Sequence, residues 1–295
     1  MMSASLTSLQ GAVRDAVAAL TEAGIDSAEY DAVALAACAL KTTTGEVRKL
    51  MVLGAPVPVG FADLVAERAR RVPLQHLTGR TGFRRLELSV GPGVFVPRFE
   101  TELVAGLAIA HLARGLDPTP FPAVRPVVVD LCTGSGAIAL AVKDEVPSAE
   151  VHGVELSELA YAWAIRNRDD LGLDVEIRLG DAALAFPELE GRVDVVVSNP
   201  PYIPVGSIPN DPEVRDHDPE VALYGGSSDG LRIPLEVASR AAFLLRTGGY
   251  LVMEHADVQG RSLPAALGRT GLWQDIQDHE DLNGRPRAVT AIRAH

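Results

Sequence analysis

The rhythm of apolar positions changes near residue 75. Over residues 5–75 they recur at helical spacing, with no alternating stretch between them. Leu9 to Ala23 keeps that period and stops at Gly24. Asp26 is then expected to open a second, very apolar helix (AEYDAVALAACAL), with Glu29 three positions on completing a capping box. GEVRKLMVL and FADLVAERARR predict two shorter helices, so the segment reads as a four-helix unit with Val33, Leu35, Ala36 and Leu40 in its core.

Past Pro73–Gly79, residues 81–90 alternate as a β-hairpin strand does. A helix from Glu102 and a proline-rich loop over 114–126 (Pro118, Pro120, Pro122, Pro126) follow. From there buried-strand signals alternate with helices. Strands are expected at 126–130, 150–155, 175–181, 195–198 and 248–254, and helices at 136–146, 159–169, 231–245 and 258–268. Residues 203–227 read as a long irregular insertion, and strands at 273–278 and 288–293 close the chain. This alternation predicts an α/β fold, a parallel sheet with a terminal antiparallel hairpin, preceded by a small helical domain. The expected division is a helical bundle over 1–75, a hairpin and linker over 76–101, and the α/β domain over 102–295.

Composition narrows the partners. Lys and Arg number 27 against 39 Asp and Glu, and the formal net charge of -12 argues against a surface built to hold nucleic-acid phosphates. A basic or neutral protein fits better. The two cysteines, Cys38 and Cys132, lie far apart in apolar surroundings and make neither a disulfide framework nor a zinc site. The opening MMSASLTSLQ lacks a secretory pattern, and no apolar run is long enough for a bilayer, so a cytoplasmic protein with no membrane association is expected.

Two stretches carry candidate chemistry. In Val195-Val-Val-Ser-Asn199-Pro200-Pro201-Tyr202 a buried strand is stopped by two prolines. The Asn199 side-chain oxygen and a carbonyl of Asn199 or Pro200 can accept both hydrogens of an NH2 group, proline offers no competing donor, and Tyr202 presents a face for a flat group. As a bare turn the same residues would be unexceptional. The second stretch, Asp130-Leu-Cys-Thr133-Gly134-Ser-Gly136, is a glycine turn between strand and helix. Cys132 stands where the first glycine of a dinucleotide fingerprint would be, which favours an adenosyl-amino-acid ligand over a pyrophosphate. Glu155, at the next strand end, is placed to accept both ribose hydroxyls, and Asp181, at the strand end after it, to reach the adenine edge. Asp130 could take a cationic amino group or hold ordered water. His76, His217 and His255 are isolated and read as structural or hydrogen-bonding, and no metal motif occurs.

With these motifs the chain resembles the Rossmann-like methyltransferases that use S-adenosyl-L-methionine. More finely, it resembles the release-factor glutamine methyltransferases, the PrmC/HemK family. PLQHLTGRTGFRRLELSV, VFVPRFETELV, DLCTGSGAIALA, VVVSNPPYIP, RDHDPEVALYGGSSDGL, GGYLVMEH and GRPRAVTA carry the likeness along almost the whole chain. The resemblance implies methylation of N5 of the glutamine in the Gly-Gly-Gln loop of peptide-chain release factors by a cytoplasmic monomer. It further implies Asn199, Pro200 and Tyr202 as the catalytic loop, and Asp130, Thr133, Gly134, Gly136, Glu155, Asp181 and Asn199 around the cofactor. The chain departs at Cys132, where the family has glycine, and at Phe99, where a proline usually follows the arginine; Arg98 is accordingly given no catalytic role. A nucleic-acid adenine N6-methyltransferase would share the loop but needs a basic target-reading region, whereas the insertion NDPEVRDHDPE is acidic. A non-catalytic scaffold would be expected to lose Asn199 or an acidic strand end, and both are kept.

Overall fold

A computed structural model describes residues 8–115 and 125–295. The chain divides into two compact units, Met1–Arg80 with Pro209–His217, and Thr81–Ile208 with Asp218–His295. The first holds helices α1 (Leu9–Glu22), α2 (Ala28–Leu40), α3 (Thr44–Val52), α4 (Phe61–Ala69) and α5 (Leu74–Thr78). Their shared core contains Leu9, Leu20, Ala32, Leu35, Val47 and Phe61. Strands β1 (Arg80–Phe83) and β2 (Leu86–Ser89) form a two-stranded sheet.

The valine runs of the second unit become the middle of a seven-stranded sheet. Its elements in chain order are α6 (Thr101–Gly115), β3 (Val127–Leu131), α7 (Ala137–Glu145), β4 (Glu150–Glu155), α8 (Glu158–Leu171), β5 (Val175–Leu179) and β6 (Val193–Ser198). After α9 (Pro212–His217), which belongs to the first unit, come α10 (Arg232–Leu244), β7 (Leu245–Glu254), α11 (Ser262–Arg269), β8 (Trp273–Glu280) and β9 (Pro286–Arg293). The strand order is β5-β4-β3-β6-β7-β9-β8. The pairs among β3 to β7 are parallel, while β9 runs antiparallel to both β7 and β8. Side chains of β6 alternate between two cores: Val195 and Val197 pack with Ala105, Ile138 and Val142, and Val196 packs with Val237, Ala241 and Leu263. Each fully buried valine contributes about 1.5 kcal/mol or more, so the run fixes β6 as a central strand covered on both faces.

Several expectations are corrected. The capping box from Asp26 does not form; Ser27 is the N-cap of α2 and its hydroxyl donates to Asp31 Oδ1 at 2.9 Å. The helical unit carries α5 as well, a single turn that starts after Pro73 and stops at Gly79, whose φ is +75°. The irregular insertion contains α9 and a 3-10 turn at Glu220–Ala222. Of the loop read over 114–126, residues 116–124 lie outside the described residues.

Buried charge organises the helical unit. Arg68 Nε donates to Asp31 Oδ2 and its Nη1 to Glu213 Oε1, both at 2.7 Å, while Arg71 Nη2 donates to Glu213 Oε2 at 2.6 Å. Burial alone would raise the Glu213 carboxyl, but hydrogen bonding with Asp211, Arg68 and Arg71 outweighs it and lowers it to about 2.

Candidate active site

Parallel register brings the singled-out residues to one end of the sheet. Leu131 pairs with Ser198 and Ser198 with Met253, so Asn199 and Glu254 each follow at the carboxyl ends of adjacent strands. Asp130 lies opposite both Gly153 and Val197, and Glu155 ends β4 opposite Leu179. This is the end at which open α/β sheets bind ligands.

In the loop after β6, Asn199 is half-buried and both prolines are buried. Asn199 Nδ2 donates to Thr101 Oγ1 at 3.2 Å, which leaves its side-chain oxygen as an acceptor. The Tyr202 hydroxyl donates to Glu254 Oε1 at 3.0 Å. Burial, and then the nearby Glu254 charge, push the Tyr202 phenol well above its ordinary value, so it stays protonated. Residues beyond the insertion close over the loop's backbone. Gln259 Nε2 bridges Tyr202 O and Asp229 O at 3.0 and 2.9 Å. A Cβ at Gly230 would sit 2.1 Å from Tyr202 O, and its φ of +72° suits glycine, so only glycine fits there.

The glycine turn is held by carboxylates. Asp130 is fully buried; its Oδ2 accepts from Thr133 Oγ1 at 2.6 Å and from Ala139 N at 3.1 Å, but Oδ1 has no hydrogen-bond partner. Burial pushes Asp130 up to about 7 against the pull of those two donors. Glu155 accepts from Gly134 N and Ser157 N, each at 2.8 Å, and burial raises its carboxyl as well. Each of its oxygens keeps room for a further donor. Nothing lies within 4 Å of a Cβ built on Gly134, so its backbone borders open space. Asp181 is exposed, and its Oδ1 caps a 3-10 turn at Ala183 N. Cys132 adopts φ +68°, the left-handed region glycine favours. Burial, followed by the Glu155 and Asp130 charges, raises its thiol. An orphaned buried carboxylate oxygen, a glycine edge facing open space and an acceptor at the next strand end together fit a cationic adenosyl-amino-acid ligand.

Residues outside the motifs complete the site. Thr101 and Glu254 are buried beside the Asn199 loop. Asn167, also buried, accepts from Ser89 N at 2.7 Å and donates to Ser89 O and Ser135 O at 3.0 and 2.9 Å, tying β2 to the glycine turn. The signal for Glu254 was present, a carboxylate ending an apolar strand; nothing in the spacing marked Thr101 or Asn167. Arg98 pairs with Asp218 at 2.9 Å and lies over the Phe95 ring, and His255 bonds Ala256 O and Asp278 Oδ1. Among the described residues, no group of His, Cys, Asp and Glu is arranged to hold a metal, and no helix is long and apolar enough to cross a membrane.

Fold and crevice define a Rossmann-like methyltransferase dependent on S-adenosyl-L-methionine. The family described as PrmC N-terminal domain matches residues 11–79, and that described as Methyltransferase small domain matches residues 110–207. A release factor glutamine methyltransferase of Streptomyces coelicolor is 50% identical, over 96% of this chain and 97% of that protein. The chain belongs to the release factor glutamine methyltransferase family. A 4-amino-L-phenylalanine/4-methylamino-L-phenylalanine methyltransferase of Streptomyces pristinaespiralis is 40% identical, over 100% of this chain and 98% of that protein. In fold alone, the chain resembles a T. thermophilus 16S rRNA methyltransferase solved with AdoMet and guanosine, with TM-score 0.50, 20% identity and coverage of 72% of this chain and 49% of that one.

Proposed function

We propose that the chain transfers a methyl group from S-adenosyl-L-methionine to N5 of the glutamine in the Gly-Gly-Gln motif of peptide-chain release factors. The observation that carries this reading is the tethered Asn199: with Nδ2 engaged by Thr101, its oxygen is left to accept a substrate N–H.

An amide nitrogen is a poor nucleophile because its lone pair is delocalised into the carbonyl. Asn199 Oδ1 and the Pro200 carbonyl accept its two hydrogens, orient the nitrogen and stabilise positive charge growing on it. Tyr202, held by Glu254, packs against the flat amide. When bound, the cofactor supplies an electrophilic sulfonium methyl. Asp130 faces its cationic amino-acid end, Thr133, Gly134 and Gly136 shape the turn around it, Glu155 accepts the ribose hydroxyls, Asp181 borders the adenine, and Asn199 adjoins the methyl. No strong base is needed before attack, since the nitrogen's proton becomes acidic only once it is alkylated.

The helical domain is assigned to partner binding, because one glutamine and two glycines offer little surface for specificity. The charge of -12 suits steering toward a basic patch. A cytoplasmic location accords with two free cysteines. A second reading, N-methylation of an aromatic amino acid, is favoured by the Streptomyces pristinaespiralis relative. Incubation with labelled cofactor tests both, against a release factor, its Gln→Ala variant, a short Gly-Gly-Gln peptide, 4-amino-L-phenylalanine and duplex DNA. Label is expected on the intact factor, less efficiently on the peptide, and not on the Gln→Ala variant, the amino acid or DNA; label on the amino acid and not on the factor overturns the assignment.

A further inference from the structure

The strap that leads from β2 into α6 is pinned along one face of α8. Leu159, Ala160, Trp163 and Asn167 share that face by their helical spacing. Cβ atoms built on Gly91 and Gly93 would sit 2.5 Å from the Trp163 ring and 2.7 Å from Leu159 Cδ1, so the backbone of the strap lies flush on those side chains. Trp163 Nε1 donates to Pro92 O at 3.3 Å, and Val90 and Val94 pack with Ala160. Farther on, Arg98 pairs with Asp218, and the strap ends at Thr101, which accepts from Asn199 Nδ2. At its start, Ser89 is held by Asn167.

Asn167 is 2% exposed and makes three hydrogen bonds, all to backbone. Its Oδ1 accepts from Ser89 N at 2.7 Å, and its Nδ2 donates to Ser89 O at 3.0 Å and to Ser135 O at 2.9 Å. A backbone N–H only donates and a carbonyl only accepts, so these partners admit one orientation of the side chain. Ser135 lies in the middle of the glycine turn, where Cys132, Gly134 and Gly136 have φ of +68°, +59° and +86°. Two glycines give such a turn little stiffness of its own. On the strand side it is tied by Thr133 N to Val154 O at 2.9 Å and by Gly134 N to Glu155. On the helix side the tie is Asn167. The same helix is capped by Ser157, whose N–H donates to Glu155 Oε1, so α8 holds the crevice near both of its ends.

We propose that Asn167 is a positioning residue for the cofactor: it locks the Ser135 carbonyl of the glycine turn to Ser89, at the start of the strap that runs on to Thr101 and the Asn199 loop. It acts through Ser135 and not by contact with the ligand. By linkage, a ligand that settles the turn settles Ser89 as well. The inference rests on the S-adenosyl-L-methionine crevice and not on the identity of the methyl acceptor.

Asn167→Asp keeps the size and the acceptor for Ser89 N–H but sets an oxygen against two carbonyls. Calorimetry on the folded variant, with S-adenosyl-L-homocysteine (the cofactor without its methyl group), is expected to show affinity at least about tenfold weaker. Asn167→Ala leaves room for water to pair the three backbone groups, and should weaken binding about fivefold. A role confined to packing would lower the melting temperature and leave the affinity of the folded molecule alone. If neither variant folds, the wild type still answers: S-adenosyl-L-homocysteine should slow hydrogen exchange of the Ser89 amide at least about fivefold, read by nuclear magnetic resonance. Affinity within about twofold of wild type in either folded variant, or Ser89 exchange indifferent to the ligand, overturns the proposal. Affinity and exchange are read without any methyl acceptor, so a failure of the glutamine reading would show in transfer and in neither of them.

Discussion

Both units bury carboxylates, but they treat them in opposite ways. In the helical unit Asp31 and Glu213 are matched by Arg68 and Arg71 at 2.6–2.7 Å, and Glu213 is lowered to about 2. At the sheet's carboxyl end Asp130 and Glu254 are pushed up to about 7, Glu155 is raised too, and Asp130 Oδ1 has no partner. Paired charges hold a fold together. A buried carboxylate without a close cation, as Asp130 is, lowers stability and marks a place where positive charge is to arrive. S-adenosyl-L-methionine brings two such charges, an ammonium and a sulfonium.

The largest expected effect lies in the paired region. Arg68→Met strands Asp31 and half of Glu213, and should destabilise by about 3–5 kcal/mol in denaturant melts. A loss under about 1 kcal/mol would mean that the network is an ornament of packing. Next is Asn199→Ala, expected to cost about 3 kcal/mol at the transition state while leaving the melting curve nearly unchanged. Asn199→Asp should cost roughly 1.4 kcal/mol or more. Single-turnover rates beside melting curves separate chemistry from stability.

The two regions should also answer pH with opposite sign. Asp130 and Glu254 have folded values near 7, above their unfolded values. Their contribution is therefore full below about pH 4 and is lost as pH rises through 7, about 3–4 kcal/mol for each group across that window. Glu213, lowered to about 2, contributes above about pH 4.3 and loses that contribution as pH falls through 2. Because a cation favours ionised Asp130, cofactor binding should release protons and tighten between pH 6 and 8, which calorimetry in buffers of different ionisation heat would read. A proton-neutral binding reaction breaks the contrast.

Smaller effects sharpen it. Glu155→Ala should weaken cofactor affinity by about 1.5–3 kcal/mol, through lost bonds to the ribose and a loosened Gly134 turn. Unchanged affinity in a folded variant removes Glu155 from the cofactor site. Cys132→Gly, at φ +68°, relieves a left-handed residue but loosens the unfolded chain, so a gain of only about 0.5–1 kcal/mol is expected by melting. A loss of stability would show that the thiol packs better than its backbone suits.

Legibility followed range. The valine runs, the glycine turn and the asparagine loop are local, and they announced both sheet and crevice in the sequence. Ser27 took the cap expected of Asp26 because either small polar residue can end that turn, and Asp31 decided between them. The short helices α5 and α9 have too few turns to show a period. Thr101 and Asn199 meet across 98 positions of chain, and Asn167 reaches back 78 residues to Ser89, so neighbouring letters carry no trace of either contact.

The buried arginine has a consequence for dissecting the chain. Glu213 arrives more than a hundred positions after the helices it completes, from a segment spliced into the other unit's sequence. A fragment ending at residue 80 would keep Arg68 and Arg71 but lose their shared counter-ion. The helical unit is therefore not a detachable cassette. A chimaera joined only at the N-terminal boundary leaves Arg71 without its Glu213 partner.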